Sequence, residues 1–315
     1  MAVSITFTNN EFKDILSNFN IGDFISAEPL TKGTVQTNYF LRTSSGRYIF
    51  KFYNNREPES VLCEAEIVNY LTNKAFPCPK IVPNQDGENV IPYRKRSFVI
   101  YEFIDGTHVD KLNGNQWGSV IKAIAELHKK SRGFIPEHVE SRMNYSPELC
   151  IKLAEDKVKQ LKTIDAERKL AWIKNTSVSL DLPETLPKEI SHGDLEASNI
   201  LFQGDEIIAL IDFDDANYTY STFDLVVLIE HSAWKYGEDD TLDWTRARDV
   251  IERYSKYMQL VDIEKKHLFD VYKLSIMIDS IWNYERGGAE DFYEKLKIEF
   301  LDEVGKDAFY DKLFS

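Results

Sequence analysis

Residues 190–202, ISHGDLEASNILF, put His192, Asp194 and Asn199 at short intervals just ahead of an apolar run, and ALIDFDDANY ends a second apolar run on Asp212, Asp214 and Asp215. Polar side chains at the mouths of buried strands cost desolvation unless they have something to bind. Asn199 opens the strand NILF, QGDE supplies a turn with Gly204, and IIALIDF returns. A tight hairpin sets Asn199 opposite about Leu210 and brings Asp212 to the same end. Asp194, Asn199 and Asp212 are then expected on one rim, which offers oxygen ligands only. That donor set suits a hard cation: Mg²⁺ takes one or two carboxylates and completes its shell with water and substrate phosphates. The rim reads as a magnesium and catalytic-base site.

The surrounding elements must hold that rim. The first hundred residues are strand-rich, with ISAEPLTKG and TNYFLRTSSGRYIFKFY as strands around a turn at SSGR. PESVLCEAEIVNYLTNKA carries Val61, Leu62, Ala65, Val68 and Leu71 at helical spacing behind Pro58. RSFVIYEFIDG returns to a continuous apolar strand. Beyond it the chain is mostly helical, interrupted by two short strands in the 189–216 stretch. The expected fold is α+β and bilobal: a small β-rich lobe over residues 1–102 and a larger, mainly helical lobe over 103–315, with a crevice between them as the natural ligand site.

Composition narrows the classes. A net charge of −14 leaves no basic footprint for nucleic acid. The N-terminus lacks the pattern of a secretory signal, and no apolar run approaches a membrane span, so a cytoplasmic protein without membrane contact is expected. Cys63, Cys78 and Cys150 are odd in number and scattered, which suits buried thiols in a reducing compartment. With no Cys-x-x-Cys and no His-Glu-x-x-His, a zinc site is not expected.

HGDLEASN resembles the catalytic loop of the aminoglycoside phosphotransferase and choline kinase superfamily, whose fold is protein-kinase-like, and IDFDDA resembles its metal-binding motif. The resemblance implies ATP and Mg²⁺ as cofactors, Asp194 as the base that orients and deprotonates an acceptor hydroxyl, and Asn199 and Asp212 as holders of the metal. It further implies that Lys51, in YIFKFY, contacts the nucleotide phosphates and that Glu64 orients it, with Glu66 as the alternative partner. LTKGTVQTNYFL would be the phosphate-covering loop, with Gly33, and the backbone of Glu102 and Phe103 would be the hinge that meets the adenine edge. Alone, a lysine in a strand is usually an edge residue and an aspartate after a strand a turn or cap; it is the ordered set that carries the resemblance. His192 reads as a packing element of the loop and Asp224, in TFDLVV, as a helix N-cap.

Gly193 replaces the arginine that anchors a phosphorylated activation loop in protein kinases, and the stretch from Asp212 to Asp224 is too short for a peptide-docking platform. A small hydroxyl compound is the expected acceptor, taken by a monomer or homodimer. Within the superfamily, GDEIIALIDF and FDLVVLIEHSAWKYG resemble the type II homoserine kinases, which implies homoserine or a similar amino alcohol. Aminoglycoside or choline-type kinases, a stress-response-type protein kinase and a nucleotide-binding pseudokinase remain as alternatives. Trp234, Trp282 and Tyr284 could hold an ammonium group through cation–π contact, or pack a core, and Asp215 and Glu230 could bind an amino group.

Overall fold

The computed structural model describes residues 5–31, 35–237, 239–284 and 292–315. Gly33, expected in the phosphate-covering loop, lies outside the described residues. The chain forms two compact units. The first comprises Met1–Lys111, Ile135–Arg142 and Glu196–Ala216; the second comprises Leu112–Phe134, Met143–Leu195 and Asn217–Ser315. The expected division between residues 102 and 103 thus falls inside the first unit, which also takes in two later segments.

The first unit begins with α1 (Asn9–Leu16), whose N-terminal amides are satisfied by a capping box between Thr8 and Glu11. Its buried apolar face is only Phe12, Ile15 and Leu16, too short a stripe to stand out in the sequence. Then come β1 (Phe24–Leu30), β2 (Thr37–Thr43), β3 (Gly46–Phe52), α2 (Pro58–Asn73), β4 (Ile91–Tyr93) and β5 (Arg96–Glu102). The five strands form one sheet in the order β1-β2-β3-β5-β4, antiparallel throughout. Pro58 starts α2 without the loss of a hydrogen bond, since a helix's first amides have no intrahelical acceptor.

Alternation along β3 decides what each face does. Phe50 and Phe52 join Phe7, Phe12 and Phe98 in an aromatic core, with Phe50 edge-on to Phe7 at 4.9 Å and to Phe12 at 5.3 Å. Ile49 and Lys51 therefore emerge on the opposite face, where Lys51 is paired in register with Val99 of β5. The cysteines are free and buried. Burial pushes the Cys63 thiol up to about 11 and the Cys78 and Cys150 thiols up to about 12, so none is a ready nucleophile.

In the second unit α3 (Gly114–Ser131), α4 (Pro147–Leu161) and α5 (Ile164–Val178) precede β6 (Lys188–Ser191). The chain next supplies the first unit with β7 (Ile200–Gln203) and β8 (Glu206–Leu210), a two-stranded hairpin. It then returns through β9 (Asn217–Tyr220), which pairs antiparallel with β6, and ends in α6 (Phe223–Ala233), α7 (Trp244–Ser255), α8 (Asp262–Trp282), α9 (Tyr293–Val304) and α10 (Lys306–Phe314). The expected pair of short strands is β7 and β8; β6 and β9 are additional, and their four-residue lengths left no readable alternation. Among the described residues no helix is long and apolar enough to cross a membrane.

The β7–β8 hairpin is fastened to the first unit by three backbone bonds. Thr107 and Phe202 exchange N–H and carbonyl at 2.9 Å each way, and Leu210 N–H donates to Pro77 carbonyl at 2.9 Å. Gly106 lies in this contact: a Cβ there would stand 2.8 Å from Leu201 Cβ and 2.8 Å from Ile208 Cδ1. Gly106→Ala should therefore force the hairpin away from the strand end after β5. The expected cost is about 1–3 kcal/mol in urea unfolding; an unchanged unfolding midpoint would show that the contact yields without cost.

Candidate active site

Lys51 is the centre of the first unit's polar site. Its ammonium donates to Glu64 Oε1 at 3.0 Å and to Asp212 Oδ1 at 2.7 Å, and lies 4.9 Å from the centroid of the Tyr53 ring. Lys51 is only 5 % exposed and Glu64 1 %. Burial by itself would push the lysine down, but the Asp212, Glu64 and Asp214 charges outweigh it and hold the ammonium well above its ordinary pKa. Glu64 reaches this point because it lies on the buried side of α2 with Val61, Val68 and Leu71. Its Oε1 also accepts from Tyr101 Oη at 3.0 Å, while its Oε2 is buried without a hydrogen bond, and burial raises its carboxyl above the usual range against the pull of Lys51. Glu66, the alternative partner, faces away: its Oε1 is 2.5 Å from His138 Nδ1.

Asp212 arrives from the hairpin. Ile200 faces Leu210, and Ile211 N–H donates to the Asn199 carbonyl at 2.9 Å, so Asn199 stands beside Ile211, one residue further along than expected. Asn199 and Asp212 therefore share one end of the hairpin. Asp212 has φ +64° and ψ 71°, a left-handed conformation at the head of a 3₁₀ turn over Phe213–Asp215. A non-glycine residue held there costs about 1–3 kcal/mol, and such strain persists where surrounding contacts over-determine it. The neighbouring acids are fixed by Arg56: Nε and Nη2 donate to the two oxygens of Asp214, each at 3.0 Å, and Nη2 also reaches Asp215 Oδ1 at 2.6 Å. Gln36 Nε2 donates to Asp214 as well, at 3.0 Å, which ties the strand entry after the covering loop to this turn. Burial would raise the Asp214 carboxyl, but Lys51, Arg56 and Gln36 bring it down to about 2. Asp215 is thereby committed to an arginine.

A cavity of about 500 Å³ opens beside these groups, lined on its apolar side by Leu30, Phe40, Ile49, Leu201 and Ile211 and on its polar side by Lys51, Glu64 and Asp212. Glu102, Phe103 and Ile104 border it. The Glu102 and Phe103 amides, expected at an adenine edge, are already spent: they donate to Lys80 carbonyl at 2.8 Å and Arg47 carbonyl at 3.2 Å. A mainly apolar cavity that also presents a fixed ammonium and a carboxylate offers surfaces for both a nucleobase and its phosphates. The Asp212 carboxylate and Asn199 carboxamide are hard oxygen donors, and Asp212 is held in its strained conformation with its side chain 43 % exposed, so the donor set fits a divalent cation of the Mg²⁺ type.

Asp194 belongs to the second unit, half-buried on the loop after β6. That loop hangs on Asp224. Fully buried, Asp224 accepts from Ser191 Oγ at 2.5 Å, His192 N–H at 2.7 Å and Gly193 N–H at 3.2 Å, and it meets His128 Nε2 at 3.2 Å. Burial would raise its pKa; the His128 and Ser191 contacts win and lower it. The expected N-cap role is corrected: Thr222 precedes α6, and the Asp224 carboxylate turns back to the loop instead of capping the helix. Only folding could reveal this, because its partners lie about thirty residues back in sequence. His192 is a buried packing element whose Nδ1 accepts from Asp194 N–H at 3.4 Å. The three aromatics have different surroundings. Trp234 Nε1 donates to Tyr293 Oη at 2.8 Å, Tyr284 Oη donates to Ala166 carbonyl at 2.6 Å, and Trp282 is 55 % exposed. Glu230 is buried against Lys297 and Tyr236.

A sheet-borne lysine paired to a helix glutamate, with a hairpin carrying asparagine and aspartate beside an apolar slot, defines a protein-kinase-like phosphotransferase. Residues 26–257 match the model of the phosphotransferase enzyme family, and the chain belongs to that family. Its activity is accordingly ATP-dependent phosphoryl transfer to the hydroxyl of a small molecule. A homoserine kinase from Afipia carboxidovorans is 26% identical over 274 residues, covering 85% of this chain and 81% of that protein. The fold is shared with an amicoumacin kinase solved with AMP-PNP, Ca²⁺ and its ligand (TM-score 0.65, 17% identity, 97% of this chain and 94% of that one). It is shared also with a spectinomycin phosphotransferase solved with ADP and spectinomycin (TM-score 0.63, 15% identity, 99% of both chains).

The Asp214 cluster has a pH signature. A carboxyl that titrates near 2 in the fold, against 3.8 ordinarily, adds stability that is complete above the unfolded value and is lost as pH falls toward the folded one. Asp214→Asn should lower stability at neutral pH by on the order of 2 kcal/mol. It should also flatten the stability–pH curve between about pH 4 and pH 2, as read by urea unfolding across that range.

Proposed function

We propose that this phosphotransferase uses ATP with Mg²⁺ and acts on a small amino alcohol, homoserine being the acceptor that sequence similarity favours. The observation that carries the nucleotide part is the Lys51 ammonium, fixed by Glu64 and Asp212 at the polar end of an apolar cavity. The acceptor rests on the relatives: the Afipia carboxidovorans homoserine kinase aligns over 81% of its length.

In this reading the adenine lies between Ile49 and Leu201, and its edge meets the Glu102 carbonyl and the Ile104 amide, since the amides of Glu102 and Phe103 are committed elsewhere. Lys51 meets the phosphates and offsets charge that develops on them. Mg²⁺, held by Asp212 and Asn199, supplies further neutralisation of the phosphate oxygens when bound. Asp194 accepts a hydrogen bond from the acceptor hydroxyl, aligns its oxygen with the γ-phosphorus, and takes the proton as the new O–P bond forms and the bond to the ADP oxygen breaks. The transition state of such transfers is loose, so positioning and electrostatics supply most of the rate. The loop anchored by Asp224 is what presents Asp194 in a fixed backbone conformation.

Two variants separate these roles. Asp194→Asn is expected to retain nucleotide affinity and lose kcat by roughly 10²–10⁴-fold, and Asp212→Ala to lose the gain in nucleotide affinity that Mg²⁺ confers. The deciding measurement is ADP release with ATP and Mg²⁺ against homoserine, choline, methylthioribose, aminoglycosides and a generic protein, with Asp194→Asn beside wild type. Turnover confined to homoserine and abolished in the variant is the expected result. Turnover on an aminoglycoside or a protein, with none on homoserine, would overturn the acceptor assignment, and near wild-type turnover by Asp194→Asn would overturn the base.

A further inference from the structure

The segment Ile135–Arg142 belongs to the first unit, although the chain on either side of it belongs to the second. It contains one 3₁₀ turn, Val139–Ser141, and grips the first unit at two points. At the first, His138 N–H donates to Glu66 Oε2 at 3.2 Å, and its ring Nδ1 stands 2.5 Å from Glu66 Oε1. At the second, Arg142 spreads its guanidinium over two elements. Nε donates to Ala216 carbonyl and Nη2 to Phe213 carbonyl, both at 2.9 Å, while Nη1 donates to Ser60 Oγ at 2.9 Å and lies 3.4 Å from Ser60 carbonyl.

These acceptors are not arbitrary surface groups. Ser60 lies in the first turn of α2, one helical turn before Glu64. Phe213 and Ala216 bound the turn that follows Asp212, the residue held at φ +64°. A planar guanidinium spreads five donors in fixed directions over three nitrogens and so reaches a hydroxyl and two separated carbonyls at once, whereas an ammonium must bring its three donors to all of them from a single nitrogen. The same cation also draws the buried Glu64 carboxyl downward, in the direction of Lys51 and against the larger push of burial.

We propose that Arg142 is a positioning residue for phosphoryl transfer: it locks the start of α2 to the turn after Asp212, so that Glu64 and Asp212 meet the Lys51 ammonium together and Asp212 keeps the strained conformation in which its carboxylate would hold Mg²⁺. The proposal rests on the assignment of Lys51 and Asp212 to nucleotide and metal made above. The strap from Ile135 to Arg142 is then a splint for the catalytic lysine, and Arg142 acts without touching substrate.

The test compares Arg142→Lys, Arg142→Gln and the milder Ser60→Ala with wild type. A fluorescent ATP analogue is titrated with and without Mg²⁺, thermal unfolding is followed in parallel, and kcat is measured on whichever acceptor wild type turns over. If Arg142 positions Asp212, both arginine variants lose roughly 10-fold or more of the affinity gain that Mg²⁺ confers, as expected when a group behind a metal ligand is removed. Affinity without Mg²⁺ stays within about twofold and kcat falls roughly 10–100-fold. Ser60→Ala shifts the same quantities in the same direction by less. A merely structural arginine would lower the unfolding midpoint and leave the Mg²⁺-dependent gain intact in the folded fraction, and that result overturns the proposal. Should Arg142→Gln fail to fold, an intact gain in both Arg142→Lys and Ser60→Ala overturns it equally. A wild type whose nucleotide affinity ignores Mg²⁺ would instead overturn the nucleotide and metal assignment, and the proposal with it.

Discussion

An ammonium held on the buried face of a β-sheet is the feature on which the first unit depends. Taking Lys51 out of water would cost several kcal/mol if nothing answered its charge. The answer comes from Glu64 in the next helix and from Asp212, separated from Lys51 by 161 positions in the chain. Satisfying one cation therefore demands that α2, the β3 strand and the β7–β8 hairpin occupy one small volume. The compact first unit, which draws in Glu196–Ala216 across a long intervening stretch, is the structural consequence. A buried ion pair of this kind is a weak stabiliser in its own right; what it fixes is geometry.

The acids beside it divide the labour. Asp212 stays partly exposed toward the cavity, while Asp214 and Asp215, close in sequence and identical in kind, are bound by Arg56. The difference is one of direction. A left-handed Asp212 starts a tight 3₁₀ turn, so the following acids point elsewhere, to a cation supplied by the loop between β3 and α2. Backbone strain at a single residue thus sends neighbouring acids to different cations, Asp212 to Lys51 and Asp214 and Asp215 to Arg56.

In the second unit a carboxylate plays the corresponding part for a loop. Asp224 gathers the Ser191 hydroxyl, two successive backbone amides and His128, and the loop bearing Asp194 takes its form from that one buried anion. Each unit therefore uses a desolvated charge as an organiser beside a less buried carboxylate, Asp212 in one and Asp194 in the other. Arg142 extends the same logic, with its donors spent on the Phe213 and Ala216 carbonyls and the Ser60 hydroxyl.

Much of this was legible in the residues. The spacing of Asp194, Asn199 and Asp212 around two apolar runs announced a polar site at strand ends, because only short-range chain geometry is needed to place a hairpin's two ends together. The resemblance also picked out Lys51 in YIFKFY, and the folded sheet sets it on the face opposite Phe50 and Phe52. The resemblance put Glu64 ahead of Glu66 as the partner of Lys51, and the orientation of α2 about its axis turns Glu64 to Lys51 and Glu66 to His138. The role of Asp224, the commitment of Asp214 and Asp215 to Arg56, and the bonds made by Arg142 were invisible in the sequence. Each joins groups tens of residues apart or more, and nothing local in the sequence records which long-range partner a charged side chain will find. Composition and spacing determined which kinds of side chain the chain brings to its strand ends, while the tertiary structure decided which partner each of several identical carboxylates meets, since desolvation and partner geometry exist only once the chain has folded.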